Sequence, residues 1–600
     1  MSQRKLQIHT ENILPIIKKW LYSDKDIFVR ELISNACDAL KKLQILRDQG
    51  LADVKDEELK IELTINKEAK TLEFSDTGIG MTEEEVDKYI AQIAFSGAEE
   101  FVSKYATSNE KDQIIGHFGL GFYSAYMVAD TVSLETLSYQ ELAKPAHWSC
   151  DGSSSYTLEE GSRSTRGTTI VLHINQESSE FLEEKTLLEI LNRYCAFLPF
   201  PIFLNGALIN KTEPLWLKNT TAATDQEYID FYHALYPLDA DPIFWIHLNV
   251  DYPFNLKGIL YFPKLTRSFD LSKNAIKLFC NRVFVSDNCK DVIPDYLTCL
   301  RGALDSPDIP LNVSRSTLQM DHTVRQLSSH ISKKVADRLL SLYQTDKEKF
   351  LKAWTDIELI VKLGILQDDK FFERVKDVIV WKNLSGEWVS ISDYIARNPD
   401  KVFYVQDEHS PLLQLYQNKE VLLATSAIDS TLMNFLEGKL KTSFQRIDGA
   451  LGDSILDTSR EKTLLDAEGK TEASRIADFI RKTLDKDKIE VEAKSLTSDT
   501  LPAFLMIDEQ MRRMRDYMML SQQQLPPSFG QKQTFVVNTN NKLVSSIFAL
   551  KESRPDLAKD MVHYLYDLAR LSQKELEPAS FPDFVARSNK VLGELLNELS

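Results

Sequence analysis

Residues 28–40 read FVRELISNACDAL, and this stretch decides how the N-terminal region folds. Apolar residues recur at helical spacing through residues 27–46, which predicts a helix with one apolar face. The apolar members of that face are Leu32, Ile33, Ala36, Leu40 and Leu43. Glu31, Asn35 and Asp38 stand at i, i+4 and i+7 and share the opposite stripe. A solvent-exposed polar face explains such a stripe, whereas an Asn in mid-helix, a mild propensity defect, favours a ligand site.

Downstream, residues 76–81 read DTGIGM and follow the strand-like sequence TLEFS. An ordinary turn after a strand has this composition. A binding site explains it as well, because Gly78 and Gly80 let backbone approach a ligand closely. An ionised Asp76 accepts hydrogen bonds only, which suits an exocyclic amine such as that of adenine.

A second glycine-rich stretch, GHFGLGF, occupies residues 116–122 and runs into YSAYMVA, which predicts a helix. Glycines followed by a helix can cradle phosphates with backbone N–H groups, although a flexible loop has the same composition. Gly167 and Thr168 enter the predicted strand TTIVLHI and carry little information alone.

These motifs, in this order and about forty residues apart for the first three, resemble the GHKL-type nucleotide-binding fold. That fold is shared by gyrase-type topoisomerases, MutL-type repair proteins, sensor histidine kinases and the ninety-kilodalton heat-shock chaperones. The resemblance implies that Glu31 is the general base and that Asn35 ligates Mg²⁺ through the nucleotide. It also implies that Asp76 accepts a hydrogen bond from adenine. The further nucleotide contacts it implies are Asp38, Gly80, Met81, Gly119, Gly121, Phe122 and Thr168.

Longer stretches single out the heat-shock chaperones within that group, in their bacterial form. Residues 21–40, 114–130 and 276–319 resemble the chaperone versions closely, and the resemblance continues collinearly but more weakly to the end of the chain. In LNVSRSTLQ, Arg315 resembles the phosphate-sensing arginine of the family, with Asn312 and Gln319 beside it. The resemblance implies a Mg²⁺-dependent ATPase that binds unfolded or partly folded client proteins and forms a homodimer through its C-terminal domain.

The chain also departs from parts of the family. It has no long charged linker near residue 210, and it ends in LGELLNELS without the tail that recruits tetratricopeptide co-chaperones. Together with the absence of an apolar leader, these features predict a protein of the bacterial cytoplasm. The lid segment, commonly LGTIAKSGT, is IAQIAFSGA at residues 90–98, so Ala91 and Phe95 replace the glycine and lysine. The role of the family's lid lysine therefore cannot be assigned to a residue of this segment.

Composition narrows the function classes. With 600 residues, about four domains are expected. A formal net charge of −18 disfavours nucleic-acid and anionic-membrane partners, and with them a topoisomerase or repair protein. The sequence contains no Walker phosphate loop, no zinc-type spacing and no nucleophile elbow. Its six cysteines form no C-x-x-C pair, which predicts free thiols in a reducing compartment.

The predicted fold class is α/β multidomain. An N-terminal Bergerat-type α/β sandwich ATPase is expected at residues 1–205, with the linker and the start of the middle domain at 206–240. An α/β middle domain that binds clients and carries the phosphate-sensing arginine is expected at 241–485. A mixed α/β dimerisation domain is expected at 486–600. Alternating apolar residues predict a hairpin within 242–263. Helical patterns are expected at 317–366, Asp556 to Leu571 and Phe584 to Leu599.

Two functions stay open at this point. One is a chaperone that drives an open/closed dimer cycle with ATP, and the other is a nucleotide-dependent binding scaffold with little turnover. Residues 506–520, MIDEQMRRMRDYMML, are rich in methionine, which makes adaptable contacts at promiscuous surfaces. This stretch is either a client-binding helix or a half-buried amphipathic one.

Overall fold

The computed structural model describes most of the chain, in ranges separated by gaps. The described residues are 24–52, 59–93, 95–105, 114–116, 119–153, 155–264, 275–287, 292–309, 322–426, 428–449, 455–457, 471–484, 489–507, 514, 518 and 533–599. They belong to two compact units, Met1–Val335 and Ala336–Ser600.

The α-helices of the described residues are numbered in chain order. They are α1 Ile27–Asp48, α2 Glu83–Tyr89, α3 Gly97–Tyr105, α4 Glu184–Tyr194, α5 Asp225–Leu235, α6 His322–Thr345, α7 Lys347–Gln367, α8 Asp369–Val375, α9 Ile391–Arg397, α10 Asp429–Leu440, α11 Glu472–Leu484, α12 Lys542–Ser553, α13 Pro555–Ser572 and α14 Phe581–Leu599. Short 3-10 helices lie at Gly121–Met127, Gln176–Leu182, Leu215–Leu217, Asp295–Leu297, Lys376–Val378, Pro411–Tyr416 and Pro578–Ser580.

The strands form four sheets. They are β1 Ile61–Asn66, β2 Thr71–Asp76, β3 Ala129–Leu137, β4 Ala146–Cys150, β5 Thr157–Glu160, β6 Gly167–Ile174, β7 Ile202–Leu204, β8 Ala207–Leu208, β9 Phe244–Val250, β10 Leu256–Phe262, β11 Ala275–Cys280, β12 Val283–Ser286, β13 Arg301–Asp305, β14 Val380–Asn383, β15 Trp388–Ser390, β16 Lys401–Val405, β17 Val421–Leu423, β18 Ser443–Arg446, β19 Ile489–Lys494, β20 Ala503–Ile507 and β21 Gln533–Asn538.

The first sheet has eight strands in the order β5-β4-β3-β6-β2-β1-β7-β8, and it carries the predicted nucleotide motifs. It is antiparallel except for the parallel pair β1 and β7. The other sheets have the orders β12-β11-β13-β10-β9, β15-β14-β17-β16-β18 and β19-β21-β20. The predicted α/β multidomain class is confirmed.

Helix α1 packs on the first sheet through the face that the sequence predicts. Its apolar residues Leu32, Ile33 and Leu40 are at most 1% exposed. At the sheet, the ring of Phe28 meets the edge of Phe74 at 6.2 Å between centroids, and an edge-to-face pair of this kind adds about 0.5–1.5 kcal/mol to area burial. A long apolar face covered by a sheet explains why α1 is stable without a side-chain N-cap hydrogen bond at Asp26.

Several local predictions are confirmed. The hairpin is formed by β9 and β10, which pair antiparallel from Phe244↔Phe262 to Val250↔Leu256. The two C-terminal helical patterns are α13 and α14, and the pattern at 317–366 corresponds to α6 and α7 within the described residues. The described cysteines are all free thiols.

Two local predictions need correction. The helix expected over YSAYMVA is a 3-10 helix ending at Met127, and β3 begins at Ala129. From Ala129 onward, successive side chains alternate between the buried and the more exposed face of the sheet, which is the pattern of a strand. In the methionine-rich stretch, Met506 and Ile507 end β20 and pair with β21, so the helix does not begin at 506.

The predicted domain boundaries stay predictions. Position 205 lies in the turn of the β7–β8 hairpin, and β8 still belongs to the eight-stranded sheet. Among the described residues, no helix is both long and apolar enough to span a membrane.

Candidate nucleotide site

Glu31 lies within α1 and is only 7% exposed. Its Oε1 accepts hydrogen bonds from the Arg30 guanidinium, at 2.7 Å from Nη2 and 3.0 Å from Nε. Its Oε2 faces the glycine-rich loop, because a Cβ on Gly121 would lie 2.7 Å from this oxygen. The alternative of a solvent-exposed polar face is therefore wrong for Glu31, and also for Asp38, which is 6% exposed.

Asp38, seven residues further along α1, anchors the start of the glycine-rich stretch. Its Oδ1 accepts a hydrogen bond from the Ile115 amide at 2.7 Å, and its Oδ2 accepts one from the Gly116 amide at 2.6 Å. Asn35 borders the same place, because a Cβ on Gly116 would lie 3.5 Å from Asn35 Oδ1. Helix α1 thus presents Glu31, Asn35 and Asp38 to this stretch of backbone.

Asp76 ends β2 and is 6% exposed. Its Oδ1 accepts a hydrogen bond from the Gly78 amide at 2.7 Å. Burial raises the pKa of the Asp76 carboxyl to about 6, against the lowering influence of the Gly78 and Thr168 backbone groups and of Arg163 and Arg166. A buried carboxyl with so perturbed a pKa is typical of a functional site.

A chain of hydroxyl groups links the strands beside Asp76. In the β2–β6 register Thr168 lies opposite Asp76. Its Oγ1 is 3.0 Å from Oγ1 of Thr136, which accepts a hydrogen bond from the Met81 amide, also at 3.0 Å. Thr136 is fully buried and holds two predicted site residues together. No pattern in the sequence around Thr136 indicates this role.

Two glycines of the predicted site are required by the backbone. Gly80 has φ +64°, and a Cβ there would lie 1.9 Å from the Leu137 carbonyl oxygen. Gly119 also has φ +64°, and a Cβ there would lie 2.5 Å from the Phe95 carbonyl oxygen. At both positions a side chain would collide with backbone, so only glycine fits.

Phe122 lies in the 3-10 helix behind Gly121 and is 7% exposed. Its ring meets Tyr123 and Trp148 edge-on, each at 5.6 Å between centroids. This aromatic packing holds the end of the glycine-rich stretch against the sheet.

Three predicted residues, Asn312, Arg315 and Gln319, lie outside the described residues, as do His117 and Phe118 of the glycine-rich stretch. Within the described ranges, no group of three or more His, Cys, Asp or Glu side chains could hold a metal ion.

The described residues fit an adenine nucleotide. Asp76 supplies a buried acceptor for an amine, and Gly80, Gly119 and Gly121 leave backbone free of side chains. Sequence reasoning missed two residues of this region, Arg163 and Arg166, whose guanidinium groups donate to the carbonyls of the Asp76–Gly78 turn. The available signal was the run SRSTRG directly before Thr168.

Comparison with known proteins agrees with this geometry. The family described as "Histidine kinase-, DNA gyrase B-, and HSP90-like ATPase" matches residues 26–178, which carry Glu31, Asp76 and Thr168. The family described as "Hsp90 protein" matches residues 204–598.

Individual relatives extend the match along the chain. The "Chaperone protein htpG" of Bacteroides fragilis (strain YCH46) is 40% identical over 92% of this chain and 85% of its own length. The "Chaperone protein HtpG" of Desulfitobacterium hafniense (strain Y51) is 30% identical over 99% of this chain and 100% of its own. The mitochondrial "TNF receptor-associated protein 1 homolog" of Dictyostelium discoideum is 28% identical over 99% and 86%. With a nucleotide-type site in its first sheet and family matches over most of its length, the chain belongs to the Hsp90 family of ATP-dependent molecular chaperones.

Proposed function

We propose that this chaperone hydrolyses Mg-ATP at the site formed by α1, the end of β2 and the Gly119–Gly121 backbone. Turnover would drive a homodimer between open and closed forms that hold and release client proteins. The observation that carries the proposal is the buried Asp76 carboxyl, poised with a pKa of about 6 beside glycines that admit a ligand.

Each site residue has a separate task in this proposal. Asp76 accepts a hydrogen bond from the adenine amine, supported through water by Gly80 and Thr168. Glu31, whose Oε2 faces the Gly121 backbone, orients the attacking water and takes its proton.

The phosphate end of the site is built from α1 and the glycine-rich stretch. Asn35 would ligate Mg²⁺, which neutralises phosphate charge when bound. Asp38, Met81 and Phe122 complete the nucleotide site, and Gly119 and Gly121 supply backbone N–H groups to the phosphates.

Hydrolysis also needs a cation at the transferred phosphate, since phosphoryl transfer depends on charge stabilisation. We assign this task to Arg315, with Asn312 and Gln319 beside it, on the family match of residues 204–598.

The C-terminal helix α14 supports a second copy of the chain as partner. Phe581, Val585, Leu592 and Leu596 are 49%, 43%, 57% and 65% exposed, and their spacing places them on one face of α14. An apolar row of this size on a helix marks an interaction surface. The proposed homodimer interface therefore lies within the dimerisation domain at 486–600.

Client proteins would contact the methionine-rich stretch 506–520, where Met514 is 49% exposed. We further propose that the protein works in the bacterial cytoplasm, and its formal net charge of −18 disfavours nucleic-acid and anionic-membrane partners.

One experiment tests the proposal against a scaffold with little turnover. Phosphate release from ATP is measured for the full chain with Mg²⁺ and with Mg²⁺ chelated, beside aggregation of a heat-unfolded model protein. We expect Mg²⁺-dependent phosphate release and ATP-dependent protection of the model protein. Protection by bound nucleotide without phosphate release would favour the scaffold.

A further inference from the structure

Two arginines outside the predicted site act on the turn that carries Asp76. Both lie between β5 and β6, and the eight-stranded sheet brings them back beside β2. Arg166 donates to the Thr77 carbonyl, at 2.9 Å from Nη2 and 3.2 Å from Nε, and to the Gly78 carbonyl at 3.0 Å from Nε. Arg163 donates from Nη2 to the Asp76 carbonyl at 3.0 Å. Three successive carbonyls of one turn thus accept hydrogen bonds from two cations.

Arg163 is itself held in place from several sides. Its Nε donates to the Thr165 carbonyl at 2.9 Å, and its Nη1 donates to Thr169 Oγ1. The absence of a side chain at Gly167 leaves room for the hydrogen bond between Arg163 and Asp76. A Cβ there would lie 2.0 Å from the Asp76 carbonyl oxygen and 2.9 Å from Arg163 Nη2. The contact between Arg163 and the Asp76 carbonyl therefore depends on glycine at position 167, because any side chain there would push these two groups apart.

The rest of the turn is anchored as well, which leaves few backbone groups free to move. The Thr77 amide donates to the Lys60 carbonyl at 3.3 Å, and the Ile79 amide donates to the Ala39 carbonyl at 3.1 Å. The Gly78 amide is bound by the Asp76 carboxylate. The direction of that carboxylate therefore depends on how the turn is held.

We propose that Arg163 and Arg166 are positioning residues for Asp76, which clamp the Asp76–Gly78 turn so that the carboxylate stays ionised and aimed at adenine. This inference rests on the proposed role of Asp76 in nucleotide binding. Arg166 supplies mainly geometry, through a fork that spans two carbonyls and that an ammonium group cannot reproduce. Arg163 adds charge as well as geometry.

The charge effect predicts a specific pH dependence. The groups that face the Asp76 carboxyl are Arg163 and Arg166 from the β5–β6 segment, the Cys37 thiol from α1, and the Gly78 and Thr168 backbone groups. The two cations lower the pKa of Asp76, so removal of one leaves the carboxyl protonated up to a higher pH. Because Oδ1 accepts from the Gly78 amide, the proton would be on Oδ2, where its O–H would face the adenine amine, also a donor. ADP affinity should therefore fall as the pH drops through the pKa of Asp76.

The test uses calorimetric ADP affinity of the full chain at pH 8 and pH 6, with unfolding temperature recorded alongside. Arg166→Lys should bind ADP about tenfold more weakly at pH 8, which corresponds to about 1.4 kcal/mol, because it keeps the charge and loses the fork. Arg163→Gln should show a larger loss of affinity between pH 8 and pH 6 than the parent. Arg47→Gln is the matched control, since Arg47 is an exposed arginine on α1 that pairs with Asp48.

Parent-like affinity in Arg166→Lys, or a parent-like pH ratio in Arg163→Gln, overturns the positioning role. Asp76→Asn separates this outcome from failure of the proposed function. If Asp76→Asn binds ADP as the parent does, Asp76 does not contact adenine and the function assignment fails. If Asp76→Asn is weak while both arginine variants are normal, only the clamp is wrong. The conservative Arg166→Lys variant keeps the test usable if larger changes prevent folding.

Discussion

Among the single residues of the site, Glu31 has the most direct link between burial and chemistry. Its carboxylate accepts hydrogen bonds from the buried Arg30 guanidinium and faces the Gly121 backbone, so a change there should affect ATP turnover and stability together. Glu31→Ala should bind ADP but lose about 10²–10⁴-fold in ATP hydrolysis, because general-base catalysis typically contributes that much. It should also unfold more easily, because the buried Arg30 guanidinium loses its two hydrogen bonds to Glu31, and a hydrogen bond to a charged group contributes about 1.5–3 kcal/mol.

Glu31→Gln is the matched control for that experiment. The amide oxygen still accepts from Arg30, so most of the stability should return while hydrolysis stays low. Phosphate release and urea unfolding measure the two effects separately. Hydrolysis at the parent rate by the Gln variant would show that Glu31 is not the base.

The buried Asp76 carboxyl should make the free energy of unfolding depend on pH even without a ligand. Its pKa is raised from 3.8 to about 6 by burial, so the fold prefers the neutral carboxyl. The stability it contributes is present below about pH 4 and is lost as the pH rises through 6, by about 3 kcal/mol in total. Asp76→Asn does not titrate, so its free energy of unfolding relative to the parent should rise between pH 4 and 6 and then level off. Urea unfolding across this range checks it, with the exposed Asp130→Asn as control, and a constant difference would contradict the burial effect.

Among the secondary-structure elements, the lid region, by which we mean α2, the predicted lid segment 90–98 and α3, depends on contacts that the family pattern does not contain. Phe95 stacks on Tyr89 at 6.1 Å between centroids, and Lys88 lies over the Phe95 ring at 5.7 Å and pairs with Glu100 at 2.7 Å. Gly97 admits the Tyr89 ring, because a Cβ there would lie 2.9 Å from it. An aromatic residue in place of the family's lysine thus holds the two helices together.

Removal of this stack should loosen the lid locally. Phe95→Ala loses an aromatic pair worth about 0.5–1.5 kcal/mol, so hydrogen exchange within residues 83–105 should speed up about two- to tenfold. Exchange in β1 and β2 should stay at the parent rate, since those strands do not depend on the lid. Tyr252→Ala, which changes a tyrosine that is 88% exposed in the β9–β10 turn, is the matched control. Unchanged protection of the lid would show that the ring stack is not what holds it.

For the whole molecule, the exposed row on α14 predicts how the chain assembles. A chain ending near residue 485 should be monomeric without nucleotide, because it lacks this row. In the full chain, Leu592→Asp places a charge on the row and should shift the dimer toward monomer at micromolar concentration. Leu238→Asp, at a residue that is 100% exposed elsewhere, should leave the mass unchanged. Light scattering after size exclusion distinguishes the two, and a dimer of the shortened chain would place the interface elsewhere.

Local patterns in the sequence were enough to predict several elements of the fold and the family of this protein. The apolar periodicity of residues 27–46 predicted α1 and its buried face, because a helix presents every third or fourth residue to one side. The motif order from Glu31 to Thr168 predicted the family, because each motif is short and keeps its spacing. The 3-10 helix at Gly121–Met127 was not predictable in this way, since its composition also suits an ordinary helix.

Only the tertiary structure decided the environment of the site. The polar stripe of α1 is interior because the glycine-rich backbone covers it, and helical spacing alone cannot distinguish a covered stripe from an exposed one. Burial raises the pKa of Asp76, whereas Arg163 and Arg166 lower it, and these two arginines bind the Asp76–Gly78 turn from 87 to 89 residues away in the chain. Sheet pairing brings those groups together, and because burial and long-range charge set the chemistry of a carboxyl, no local pattern could predict it.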